Sequence, residues 1–163
     1  MGRPSIFEQR RIEIGRALQA CMVKNGSYES TSVKEIAKQA GLAAGLIHHY
    51  FTSKDEILLL MAENSLLAVS NLLDDLLHAR SAAERAEKLH ELLSDEDQNR
   101  FMLMLYTLSL SMPEIKEMIL SNHKELKESL SNRLGRRETF TGDPEEVACE
   151  LAFLLESSVL KSA

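Results

Sequence analysis

Apolar residues recur every three or four positions along most of the chain, a spacing that gathers them on one face of an α-helix. The first stripe predicts a helix over residues 6–24, which Asn25-Gly26 ends in a left-handed conformation. Further stripes predict seven more helices, over residues 31–40, 43–50, 53–77, 81–93, 95–112, 113–134 and from 143 to the C-terminus. No segment alternates apolar and polar residues between turn residues, as a half-buried strand does. The pattern therefore predicts an all-α protein.

Capping residues mark several of the predicted helix starts. Ser32 with Glu35, and Ser53 with Glu56, have the capping-box spacing, in which a serine oxygen accepts a hydrogen bond from a first-turn amide. Pro113 predicts another start, because the first helical turn tolerates proline. These signals fix the beginnings of the second, fourth and seventh predicted helices.

Charge is distributed unevenly between the two ends of the chain. Residues 1–54 hold eight Lys and Arg against four Asp and Glu, a balance of +4, whereas residues 55–163 hold eleven against twenty-one, a balance of −10. The net charge of −6, spread evenly, would argue against nucleic acid, because phosphate binding needs a basic surface. A basic head on an acidic body instead predicts that one end meets DNA. We therefore expect two domains, residues 1–54 and residues 55–163.

Residues 31–51 have the pattern of a helix-turn-helix, in which two short helices cross around a tight turn. Small side chains at Ala37 and Ala40 allow the close crossing, and Gly41 suits the positive φ of such a turn. We expect the helix after the turn to bury Ile47, Tyr50 and Phe51 and to present Ala43, Ala44, Leu46, His48 and His49 outward.

This head resembles that of the TetR/AcrR family of transcription regulators, over about residues 6–60. The resemblance is carried by Thr31, Ile36, Ala37, Ala40, Gly41, Gly45, Tyr50, Phe51 and Lys54, with Leu42 in the place of a valine. Two residues depart from the family pattern: Ala43 stands where a serine is usual, and His48 stands where a tyrosine is typical. The operator sequence therefore cannot be transferred from a relative.

The resemblance implies a fold and a set of DNA contacts. The fold is a three-helix helix-turn-helix head followed by a helical ligand-binding and dimerisation body. Thr31 and Lys54 would hold phosphates from helix N-termini, and Arg3, before the first helix, would reach a minor groove or a phosphate. The remaining DNA-binding residues, at the base edges or beside them, are Ser32, Ala43, Ala44, Gly45, Leu46, His48 and His49.

For the body, the resemblance implies an effector pocket and a homodimer interface. Methionine thioethers adapt to varied apolar ligands, so the pocket is expected at Phe101, Met102, Leu105, Tyr106, Met112 and Met118, although a packed core explains these residues equally well. The interface is expected at Val147, Leu151, Leu154, Leu155 and Val159. Family members usually end with two long helices, and only the first precedes Ala163, so we expect the last family helix to be lacking.

The sequence predicts a cytoplasmic, ligand-released homodimeric repressor that binds double-stranded operator DNA. The apolar runs are too short to span a bilayer, and Cys21 and Cys149 have no metal-site or disulfide spacing. No cofactor is expected, and a metal site at His48-His49 is disfavoured, because adjacent helical side chains diverge by about 100°. An enzyme is disfavoured by the lack of a catalytic constellation. A helical protein-interaction module without DNA binding stays open as the alternative.

Overall fold

The computed structural model describes residues 5–79 and 81–134, and all regular structure in these two ranges is α-helical. Seven helices follow one another: α1 Ile6–Asn25, α2 Val33–Gln39, α3 Ala44–Tyr50, α4 Lys54–His78, α5 Ala82–Ser94, α6 Glu96–Leu108 and α7 Pro113–Leu134. The all-α prediction is confirmed. The eighth predicted helix, with the expected interface residues Val147, Leu151, Leu154, Leu155 and Val159, lies outside the described residues, as does Arg3.

Helix boundaries agree with the sequence prediction within one or two residues except at the end of α6. That helix was expected to reach Met112, but it ends at Leu108, where the amides of Leu110 and Ser111 turn back to the carbonyls of Thr107 and Leu108. The Ser111 hydroxyl also donates to the Leu108 carbonyl. The tight turn releases the chain so that α7 can begin at Pro113.

Of the two predicted capping boxes, the one at the start of α2 is complete. Ser32 and Glu35 exchange both bonds of the box. At the start of α4 the Glu56 amide donates to the Ser53 hydroxyl at 3.1 Å, but the Glu56 carboxylate accepts from the Thr52 amide at 2.8 Å instead of from Ser53. The second box is therefore only half formed, because the carboxylate is used by the residue one position earlier and by Arg11.

The chain forms two compact units, Met1–Ser65 and Leu66–Ala163. In the first unit α1 contacts both α2 and α3. Its fully buried apolar side chains come from four helices and from the residue after α3; they include Ile14, Leu18, Met22, Ile36, Ile47, Phe51, Ile57 and Leu58. Gly15 allows α1 and α4 to approach, because a Cβ there would lie 3.1 Å from the Met61 sulfur. This core fixes the orientation of the short helices α2 and α3.

In the second unit α6 packs against α7. Phe101, Met102 and Leu105 are buried here together with Ile115 and Ile119 of α7. The Asn122 amide donates to the Ser70 hydroxyl at 3.0 Å and so joins α7 to the second half of α4. None of the described helices is long and apolar enough to cross a membrane.

The expected effector residues divide into two groups by exposure. Phe101, Met102 and Leu105 belong to the core, whereas Tyr106, Met112 and Met118 are half-buried. The Tyr106 hydroxyl lies 3.1 Å from Nε2 of His123, which gives the half-buried group a polar end. An effector pocket at these residues stays a prediction.

Candidate nucleic-acid interface

The turn between α2 and α3 is closed by backbone hydrogen bonds and a left-handed glycine. Gly41 has φ +67°, a conformation that L side chains rarely adopt. The amide of Leu42 donates to the Ala37 carbonyl at 2.8 Å, and the amide of Gly41 donates to the Lys38 carbonyl at 3.2 Å. The predicted glycine turn is therefore confirmed, and it directs the chain from α2 into α3 within four residues.

α3 buries one side and exposes the other. Ile47 and Phe51 are each 2% exposed, as the sequence predicted, whereas Tyr50 is only half-buried. The exposed surface contains Ala43, Ala44, Gly45, Leu46, His48 and His49, all of which the sequence analysis assigned to DNA. Ala43, Ala44 and Gly45 have the smallest side chains of this surface, and a Cβ built on Gly45 would meet nothing within 4 Å. Such a face can approach another surface closely.

The N-terminus of α3 has no side-chain cap. Ala43 occupies the N-cap position in an extended conformation and accepts no hydrogen bond through its side chain. A serine or aspartate here would satisfy one of the first backbone amides of the helix. The Leu46 amide donates to the Ala43 carbonyl at 2.9 Å, which leaves the amides of Ala44 and Gly45 to an external acceptor such as a phosphate oxygen.

The two exposed histidines of α3 differ in their surroundings, because the His49 ring packs against aromatic side chains. The Phe7 ring meets His49 edge-on with centroids 6.1 Å apart, and His49 meets Tyr50 in the same way at 5.1 Å. Phe7 and Tyr50 lie 5.2 Å apart and complete the group. Because these contacts restrict the His49 ring, His48 is the freer of the two histidines.

Thr31 lies in the interior, and the expectation of a phosphate contact is not supported by its position. Its side chain is 1% exposed, and its hydroxyl donates to the Ser27 carbonyl at 2.9 Å. The Asn25 side-chain amide also lies 3.5 Å from this hydroxyl. Thr31 therefore ties the loop after α1 to the start of α2, where its neighbour Ser32 caps the helix.

Lys54 also makes contacts inside the head. Its ammonium donates to the carbonyls of Tyr28 and Thr31 at 2.8 and 2.9 Å, and it lies 3.8 Å above the Tyr28 ring. The Tyr28 hydroxyl in turn donates to the Asp55 carboxylate. Burial, followed by this hydrogen bond, raises the pKa of Tyr28. Lys54 thus joins the loop before α2 to the start of α4, and a phosphate contact by Lys54 stays a prediction.

Two lysines on α2 were missed by the sequence analysis. Lys34 and Lys38 are four residues apart, so they share a face of α2, and both are exposed. The buried side of the same helix is formed by Ile36 and Ala37. The sequence could have shown that Lys34 and Lys38 are exposed, because their spacing places them on the side of α2 away from Ile36 and Ala37. Both lysines are candidates for phosphate contacts beside α3.

No metal centre is indicated among the residues that the structure describes, where no three His, Cys, Asp or Glu side chains converge. Cys21 of α1 is a buried free thiol, and burial raises its pKa. The exposed residues of α2 and α3 offer hydrogen-bond donors at His48 and His49, cations at Lys34 and Lys38, and small apolar side chains at the start of α3.

Comparison with known sequences identifies the same region. The family model of bacterial regulatory proteins of the tetR family matches residues 22–61, from the end of α1 into α4. The HTH-type transcriptional regulator HbdR of Aromatoleum sp. (strain CIB) is 38% identical over 63 residues, which are 39% of this chain and 27% of that protein. The similarity thus spans only about a quarter of the curated relative and is concentrated in the head.

Solved structures show a similar fold over most of the chain. A transcriptional regulator from Pseudomonas aeruginosa PAO1 superposes with a TM-score of 0.73 at 24% identity, covering 95% of this chain and 79% of that one. A regulator from Saccharomonospora viridis in complex with choline gives a TM-score of 0.69 at 21% identity, covering 94% and 85%. At these identities the likeness concerns the fold. The family model matches residues 22–61 alone, so the head of this chain is similar to the bacterial regulatory proteins of the tetR family, and the rest of the chain shares their fold.

Proposed function

We propose that the chain is a transcription regulator that binds double-stranded operator DNA by inserting α3 into the major groove. The observation that carries this proposal is the two-sided character of α3. One side is fixed by Ile47 and Phe51, while the other exposes small side chains and two histidines. A major groove accepts a helix of this kind, and donors at its surface can reach base edges.

Individual roles follow from exposure. His48 and Leu46 are the base-reading residues, because an imidazole can bond a base edge and an apolar side chain can contact a thymine methyl. Ala43, Ala44 and Gly45 allow the backbone to approach closely, and the amides of Ala44 and Gly45 donate hydrogen bonds to a phosphate oxygen. Lys34 and Lys38 add phosphate contacts from α2, while Ser32 shapes the surface by capping that helix.

The regulator acts as a homodimeric repressor in the cytoplasm. Two heads would then meet two half-sites about one helical turn apart, or a multiple of that distance. A small apolar or amphipathic effector in the body would change the spacing of the heads and release the operator. The half-buried Tyr106, Met112 and Met118 support an effector of this chemistry, and the choline complex of a similar structure supports a small ligand in this fold.

The test is the affinity of the full chain for the DNA flanking its own gene, measured over a series of salt concentrations. Specific binding should weaken steeply with salt, since each phosphate contact releases a counterion. His48→Ala should weaken operator binding roughly tenfold by removing one base contact. His90→Ala is the matched control, because His90 is also an exposed helical histidine but lies on α5.

Two results would contradict the proposal. An equal effect of His48→Ala and His90→Ala would remove α3 from the interface. If selection from random DNA enriched no sequence at low salt, the chain would not be an operator-binding protein, and the helical interaction module would take its place. Light scattering of the same preparation tests the dimer, which a monomer at micromolar concentration would refute.

A further inference from the structure

We propose that Arg11 is a positioning residue for DNA recognition, which holds the C-terminal end of α3 in the orientation that the operator requires. This role rests on the proposed function of α3. It goes beyond that function because Arg11 belongs to α1 and is not one of the residues proposed to contact DNA. It stands on the geometry of three contacts made by one guanidinium group.

The first contact is with the last residue of α3. Nη1 of Arg11 donates to the Tyr50 carbonyl at 2.7 Å, across 39 residues of sequence. Carbonyls in the last turn of a helix have no partner within the helix, and a cation is favoured there by the helix dipole. The guanidinium thus satisfies a carbonyl at the end of α3 and fixes its distance from α1.

The second and third contacts extend the same group to the connection between α3 and α4. Nη2 donates to the Glu56 carboxylate at 2.9 Å, and the guanidinium carbon lies 4.2 Å from the centre of the Phe51 ring. The other oxygen of Glu56 accepts from the amide and hydroxyl of Thr52. Arg11 and Glu56 therefore hold α1, the end of α3 and the start of α4 together.

This combination needs an arginine specifically. A guanidinium group offers several donors in one plane and stacks on an aromatic ring, whereas a lysine ammonium is a point charge on a flexible stem. Arg10, the preceding residue, provides the contrast: it is exposed and pairs only with Glu13, three residues along the same helix. The two neighbouring arginines thus have the same charge and different structural roles.

The contacts of Arg11 matter because α3 is weakly fixed by its own sequence. The helix has seven residues, lacks a side-chain cap at Ala43 and buries only Ile47 within its own length. Such short helices depend on tertiary contacts for their stability. A change in the tilt of α3 would move His48 and Leu46 from the base edges while leaving the charge of the head unchanged.

The experiment compares Arg11→Lys with Arg10→Lys in the full chain. Arg11→Lys should weaken operator binding roughly tenfold through the loss of a charge-assisted hydrogen bond and of the stacking contact. Its affinity for non-specific DNA should stay unchanged, because that binding depends on charge. Arg10→Lys should change neither affinity. Equal operator affinity of the wild type and Arg11→Lys would overturn the inference.

A second measurement does not depend on DNA. Amide hydrogen exchange should become faster at the C-terminal turn of α3 in Arg11→Lys, and in Glu56→Gln, while α2 amides exchange as in the wild type. Unchanged exchange in α3 would overturn the positioning role, and so would equal acceleration in α2 and α3, which indicates global destabilisation. If the wild type binds no operator, the proposed function fails, and the exchange data still decide the role of Arg11 in fixing α3.

Discussion

The helices α2 and α3 have seven residues each and belong to the same head, but they are stabilised in different ways. α2 carries a complete capping box between Ser32 and Glu35, with Lys38 in its last turn. α3 begins at an uncapped Ala43, and the carbonyl of its last residue is bonded by Arg11 of another helix. The first turn of α2 is therefore capped by its own side chains, whereas the last carbonyl of α3 is bonded by a side chain of another helix.

The difference follows from what the two helices present to their surroundings. A capping side chain occupies the first backbone amides of a helix, and these are the groups that a phosphate would bind. α3 leaves the amides of Ala44 and Gly45 available and keeps small residues at these two positions. Its stability comes from the opposite side, through Ile47, Phe51 and the Arg11 contacts. The exposed side of α3 stays unobstructed because the contacts that support the helix lie on its opposite side.

The largest expected effect concerns the turn that separates the two helices. Gly41→Ala should lower the stability of the head by about 1–2 kcal/mol, because the left-handed backbone is strained for a residue with a Cβ. Gly45→Ala is the control: it lies within α3, in open space, and should raise stability by up to about 1 kcal/mol through helix propensity. Thermal unfolding followed by far-UV circular dichroism measures both. Equal effects of the two substitutions would contradict the assigned turn.

The helix caps should give the next largest effect. Ser32→Ala removes the α2 cap and should cost about 1 kcal/mol of stability. Ala43→Ser adds a cap to α3 and should stabilise the protein by about 0.5 kcal/mol. Urea unfolding of the two variants measures the difference. If Ala43→Ser changed nothing, the N-terminus of α3 would already be satisfied, and the contrast between the two helices would be lost.

The smallest effect should come from acid pH. The Thr52 amide, the Thr52 hydroxyl and Arg11 lower the pKa of Glu56, and the Ser32 amide and hydroxyl lower that of Glu35. A lowered folded-state pKa stabilises the protein above the ordinary value of 4.5, and this contribution is lost as the pH falls through the folded pKa. The melting temperature of the wild type should therefore fall more than that of Glu56→Gln or Glu35→Gln between about pH 6 and about pH 3. Parallel pH profiles would contradict these assignments.

Most of the fold could be predicted from local patterns. The helices, the Gly41 turn and the inward side of α3 follow from apolar spacing and from residues with strong backbone preferences. The end of α6 at Leu108 could not be predicted, because the residues Ser109–Met112 continue the apolar spacing of the helix. The chain turns there through hydrogen bonds of the backbone and of Ser111. Thr31 and Lys54 were assigned to phosphates by resemblance, whereas their contacts depend on residues that the fold brings near them.

The sequence by itself determined the helical class, the helix-turn-helix and the resemblance of the head to the tetR family, because these depend on short-range spacing and on glycine and capping residues. Only the tertiary structure decided which polar side chains are free. Arg10 and Arg11 are adjacent in α1 and have the same charge, yet one is exposed and the other contacts Tyr50, Phe51 and Glu56. The reason is physical: contacts across 39 to 45 residues depend on how helices pack, and no local spacing encodes them.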